Sequence, residues 1–129
     1  SLILAEAQRL VRRLCPACRA PRAPTAEDWR RLEVEPAQFS AIERIYEPQG
    51  CAQCRGVGYR GRIAIYEMVE IDEALREAIH DRAPLAELRK IAARQGARTL
   101  RQDGARHVAS GITSIEEVLR VTREGAVEV

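Results

Sequence analysis

Cys15-Pro16-Ala17-Cys18 is answered, after 32 intervening residues, by Cys51-Ala52-Gln53-Cys54, and the rest of the chain is arranged around these two pairs. Each CxxC can turn two thiolates toward one ion at about 2.3 Å, and two such pairs complete a tetrahedron. The reading is one structural zinc ion on Cys15, Cys18, Cys51 and Cys54. A shell closed by four sulfurs keeps no position for water or substrate, so such an ion stabilises and does not catalyse. Its binding free energy is then folding free energy. The competing readings are two disulfides, a dithiol redox pair and buried unpaired thiols. The N-terminus lacks a basic-then-apolar signal pattern, which weighs against disulfides. A redox pair needs a low-pKa thiol at a helix start, whereas the pattern ahead of Cys15 puts it at a helix end.

That pattern is the recurrence of apolar residues at 3, 7, 10, 11 and 14, with Arg9, Arg12 and Arg13 on other faces, which predicts a helix from Ile3 to Leu14. The chain begins at Ser1 and enters this pattern at once, as expected of a piece cut just ahead of a helix. Pro16, Pro21 and Pro24 then break regular structure. Behind the second pair, Gly56, Gly58 and Gly61 permit the turns that bend a chain around a metal. They are not a nucleotide fingerprint, because a strand before and a helix after are missing from the pattern.

Thr25 and Asp28 form a weak capping box that opens a short helix carrying Trp29 and Leu32, ended by Pro36. Residues 37–50 read as a short helix or strand feeding Gly50. Residues 62–71 alternate in the manner of a strand. Asp72 is an N-cap, and helices follow over 73–81, 84–95 with Gly96 at its end, 99–110 ended by Gly111, and 114–123. The last opens with Ser114-Ile115-Glu116-Glu117, read as a reciprocal capping box. The tail 124–129 frays. The fold expected is mainly α with a small irregular β and zinc-knuckle element: a four-cysteine zinc subdomain, then a small helical bundle.

Composition bounds the function. Five aromatic residues in 129 leave a core of Leu, Ile, Val and Ala. No apolar run approaches the roughly 20 residues of a membrane span. Twenty of the 21 basic residues are Arg, and residues 1–62 carry eleven Arg against seven acids. That excess is weak evidence for nucleic acid, and a tetrathiolate zinc centre would offset part of it. His80 and His107 fall late in predicted helices with no nucleophile or carboxylate placed beside them. Thr99, Ser110, Thr113 and Ser114 sit at helix boundaries, where capping accounts for them. No catalytic constellation emerges, and no G-x-x-x-x-G-K-[ST] loop or apolar strand ending in paired acids is present, so this chain alone does not carry ATP hydrolysis.

Three blocks together carry a resemblance. They are Ala7-Gln8-Arg9-Leu10-Val11-Arg12 leading into Leu14-Cys15-Pro16 and Cys18; Gly50-Cys51 and Cys54 with Gly58-Tyr59-Arg60-Gly61-Arg62 and Ile65-Tyr66-Glu67; and Asp103-Gly104 with the run from Gly111 to Thr122. In this order they resemble the C-terminal part of the ATPase family that powers bacterial type II secretion and type IV pilus assembly. The Arg-Leu-Val-Arg run before Cys15 and the Glu-Val-Leu-Arg-Val-Thr ending look more like the type II form. The resemblance implies that 1–14 is the closing helix of an upstream RecA-like ATPase domain, 15–61 the zinc subdomain and 62–123 a strand plus the C-terminal helical subdomain. It implies a hexameric parent on the cytoplasmic face of the inner membrane, whose partners are neighbouring subunits and inner-membrane platform proteins. ATP and Mg would be bound only in the missing upstream domain, so no catalytic or cofactor-binding residue carries over. The metal ligands carry over as Cys15, Cys18, Cys51 and Cys54.

Two other classes compete. A zinc ribbon for nucleic acid is prompted by the arginines, but Tyr59 is the single aromatic near the cluster 55–62, a poor platform for stacked bases. A chaperone zinc domain is prompted by Cys51-Ala52-Gln53-Cys54-Arg55-Gly56-Val57-Gly58, which has the J-protein CxxCxGxG form. That form is not repeated after Cys15.

Overall fold

A computed structural model of the chain describes residues 2–94 and 97–123. In order they form β1 (Leu2–Leu14), β2 (Ala20–Arg22), α1 (Ala26–Arg31), β3 (Ile45–Glu47), β4 (Tyr59–Ile71), α2 (Glu73–His80), α3 (Leu85–Arg94), α4 (Leu100–Ala109) and α5 (Ile115–Thr122), with a 3-10 turn at Pro36–Phe39. The helices hold more residues than the strands, so the chain is mainly α as expected. Its organising element is nevertheless a ribbon. β1 and β4 pair antiparallel from Leu2 opposite Ile71 to Leu14 opposite Tyr59, and β2 pairs with β3 in a second, short ribbon.

The helix expected over residues 3–14 is therefore a strand. The pairing register slips between Ala5 and Ala7 and again between Arg12 and Leu14. A bulge puts two residues of one strand opposite one of its partner and interrupts the alternation of faces. Val11 and Leu14, three residues apart on either side of the second slip, are both buried, at 0% and 4% exposure. Such spacing imitates one face of a helix. The β-branched partner across the ribbon, with Val11 opposite Ile63, settles the element as a strand.

The second half is not one free-standing bundle. α4 and α5 pack on the ribbon, where Ala105, Val108 and Val118 meet Val11 and Ile65 together with Trp29 and Leu32 of α1. Trp29 also stacks on Phe39 with ring centroids 4.4 Å apart. The residues around the cysteines thus share their core with the C-terminal helices. α2 and α3 form a separate pair at the other end of the ribbon, where Leu75 and Ala92 pack on Val69.

Local signals hold well. Thr25 and Asp28 make the reciprocal capping box, and Asp72 caps α2 through the Leu75 amide. Thr99 and Gln102 form a further box that sequence reading passed over. Ser114 accepts from the Glu117 amide as expected, but the Glu117 side chain does not return the bond, because it is engaged elsewhere. The segment 37–50 resolves into the 3-10 turn and β3. The expected helix end at Gly96 and the tail 124–129 lie outside the described residues.

Candidate metal centre

Cys15 follows directly on β1, and Cys18 closes a tight turn in which the Cys18 and Arg19 amides both donate to the Cys15 carbonyl. Cys15 therefore leaves a strand and not the helix expected ahead of it, and it does not open a helix either. The second pair lies in the turn ahead of β4, where the Gly56 amide donates to the Cys51 carbonyl at 2.8 Å. The two turns are joined by a bond from the Cys15 amide to the Gly58 carbonyl at 2.9 Å. Gly58 has φ +88°, and a Cβ there would stand 2.6 Å from the Pro48 side chain. Only glycine fits both demands.

The four Sγ atoms converge, all within 4.8 Å of one another. Cys15 to Cys51 and Cys18 to Cys54 are each 3.8 Å, and Cys51 to Cys54 is 3.7 Å. A tetrahedron with metal–sulfur bonds of about 2.3 Å has edges of about 3.8 Å. A disulfide would need about 2.05 Å. The donor set therefore fits a single four-coordinate metal ion and not two disulfides.

Backbone amides prepare the sulfurs for negative charge. Gly50 donates to Cys18 Sγ, and Cys51 and Gly58 both donate to Cys54 Sγ, each at 3.2 Å. Burial by itself would raise the Cys54 thiol, but these two amides, together with hydrogen bonds from the Cys51 and Cys18 thiols, outweigh it and draw the group down to about 6. Cys18, desolvated and helped by one amide only, is pushed up to about 11. A cation at the centre would favour the thiolate at all four positions.

The strand leading into Cys15 is held from α5 and the loop before it. The Arg12 amide donates to Glu117 Oε2 at 2.8 Å, and the Arg12 guanidinium reaches both carboxylate oxygens. Thr113 donates to the Arg12 carbonyl, and the Leu14 amide donates to Ile112. Arg120 binds the same carboxylate from within α5. The opposite edge of the ribbon is met the same way: fully buried Asp103 accepts from the Tyr66 amide at 2.9 Å and is paired with Arg106. A two-stranded ribbon leaves an edge open on each strand, and one buried acid closes part of each.

Sequence reading missed both acids. Thr113, expected as a helix-boundary cap, instead binds β1. The available signal was position: Glu117 lies in the inward stripe 114, 117, 118, 121, where an acid needs a buried partner. His107 is half-buried and its pKa is lowered by burial and by Arg106, while His80 is exposed. Neither joins the cysteines.

Residues 1–120 match the family model described as type II/IV secretion system protein. Type II secretion system protein E of Aeromonas hydrophila is 47% identical over 124 residues, covering 96% of this chain and 24% of that protein. The type IV pilus assembly ATPase TfpB of Acinetobacter baylyi is 44% identical over 115 residues, 89% of this chain and 20% of its own length. The type IV pilus assembly ATPase PilB of Thermus thermophilus is 42% identical over 124 residues, 96% and 14%. The chain spans a quarter or less of the length of these relatives. With the match extending over nearly all of its residues, the chain belongs to the type II/IV secretion system protein family.

Proposed function

We propose that this chain is the C-terminal, zinc-stabilised module of a cytoplasmic secretion ATPase of the type II branch, the motor of pseudopilus assembly. Within it the chain has a structural and interaction role and no catalysis of its own. The observation that carries the reading is the convergence of four Sγ atoms at tetrahedral spacing in a chain of this family. A closed four-thiolate shell suits zinc, and in this reading Cys15, Cys18, Cys51 and Cys54 are its ligands. The ion would supply folding free energy to a loop-rich segment whose buried residues Trp29, Leu32 and Ile45 share a core with the C-terminal helices.

In this reading β1 leads out of an upstream RecA-like domain, 15–61 is the metal subdomain and 62–123 the C-terminal subdomain. Because these share a core, a movement of β1 is passed to the helices as a rigid displacement. ATP and Mg are handled in the larger remainder of such proteins, and the hexamer works at the cytoplasmic face of the inner membrane against platform proteins. Among the described residues no helix is long and apolar enough to cross a membrane. The identity to type IV pilus ATPases, 44% for TfpB, keeps that branch as the alternative.

The test is Cys51→Ser in the 129-residue chain and in its parent protein. The native chain should hold one zinc per molecule by elemental analysis. The variant should lose the ion, unfold at lower denaturant concentration and abolish secretion in cells. Full zinc content, or native stability and secretion in the variant, would rule out a required zinc scaffold.

A further inference from the structure

Where the first cysteine turn meets the ribbon, a groove of about 510 Å³ is lined by Arg13, Arg19, Arg60, Pro16, Gly61 and Ile112 among others, with no carboxylate in its wall. Its cations come from three different places in the fold: the end of β1, the first cysteine turn and the start of β4. Arg19 is held in place, donating to the Gly111 carbonyl at 2.7 Å while its guanidinium lies 4.0 Å over the Tyr46 ring. Arg13 and Arg60 are exposed and form no ion pair within 4.0 Å among the described residues. The contrast with the adjoining face is sharp, because Arg12, Arg31, Arg101 and Arg120 there each answer a glutamate.

Three guanidiniums gathered without an acid repel one another, and a ligand bearing carboxylates would relieve that repulsion through forked hydrogen bonds. We propose that the Arg13–Arg19–Arg60 groove is a docking site for an acidic polypeptide segment of a partner protein. A peptide fits better than nucleic acid because each tyrosine ring near the cysteines already carries a guanidinium on one face: Arg19 lies over Tyr46, and Arg12 lies 4.3 Å over Tyr59. The face of each ring that an arginine covers is closed to a stacking base. Leu14, Pro16 and Ile112 give the groove an apolar side suited to a peptide's own side chains. The site needs only the fold of this chain, so its success or failure is independent of the ATPase assignment.

The experiment is fluorescence anisotropy on the zinc-loaded 129-residue chain with a labelled peptide of alternating Glu and Ala, its Gln and Ala counterpart, and a single-stranded oligonucleotide of equal length. The doubly substituted Arg13→Gln/Arg60→Gln chain is compared with Arg44→Gln/Arg76→Gln, which removes the same charge from exposed positions elsewhere. The acidic peptide should bind the native and control chains alike and the groove variant about tenfold more weakly or less, with steep loss in salt. The groove arginines are exposed, so thermal unfolding should be unchanged in both variants. Equal weakening in the two variants would reduce the effect to net charge and overturn the proposal. So would absence of peptide binding, or preference for the oligonucleotide.

Discussion

Glu117 is 1% exposed and takes an amide and two guanidiniums, so removing its charge leaves Arg12 and Arg120 facing a neutral oxygen in a dry place. Breaking one partner out of a buried charge cluster costs about 3–5 kcal/mol. Arg12 and Arg120 are partly exposed and can rehydrate, so Glu117→Gln is expected near the lower end, read as a fall in urea midpoint with unchanged slope. The same residue sets a pH dependence. Burial would raise its pKa, but Arg120 and Arg12 hold it down to about 2, below the ordinary 4.5. Asp28 is likewise held at about 2, chiefly by Arg22. A depressed pKa stabilises fully above the unfolded value and loses that effect as pH falls through the folded one. Stability should thus decline from about pH 4.5 toward pH 2, and the decline should be shallower in Glu117→Gln than in the native chain. Gly104 gives a second residue-scale expectation. A Cβ there would lie 2.6 Å from Val118 Cγ1, so Gly104→Ala should force α4 and α5 apart and cost about 1–3 kcal/mol by thermal unfolding, despite alanine's better helix propensity.

At the scale of elements, what could be read from the sequence divides by range. The caps of α1, α2 and α5 depend on residues three apart, and Thr25, Asp72 and Ser114 announced them. The cysteine cluster was equally legible, because two CxxC pairs restrict their own geometry whatever lies between. β1 was not, since its apolar residues fall at helical spacing and only the partner strand reveals the pairing and its two register slips. Glu117 misled for a related reason: position three after a Ser is a capping signal in any isolated helix, and the competing Arg12 lies 105 residues away. The arginine groove escaped for the same cause, being assembled from three separated segments. Local chemistry was visible and pairing at a distance was not.

For the whole molecule the decisive fact is that one ribbon serves two cores of unequal size. Ile79 and Leu85 on the α2–α3 pair are 50% and 64% exposed, so that end buries less. Leu75→Ala removes a residue 3% exposed and should cost about 2 kcal/mol or more locally, seen as faster amide exchange confined to α2 and α3. Val108→Ala, at 0% exposure in the larger core, should instead lower protection in β1, α4 and α5 together. Uniform loss in both variants would mean that the two cores unfold as one.

The position of the cysteine turns at the closed end of the long ribbon bears on how the chain reaches its fold. β1 and β4 are far apart in sequence, and bringing them together closes a large loop before any strand pairing can repay the entropy lost. Cys15 to Cys18 and Cys51 to Cys54 flank that loop and abut Leu14 and Tyr59, the last pair of the register. An ion captured there would close the loop first and leave the strands aligned at one end, free to zip outward toward Leu2 and Ile71. The metal would then act as a clasp on the kinetics of folding as well as a strut in the folded state, setting the register of a strand whose own sequence does not declare it.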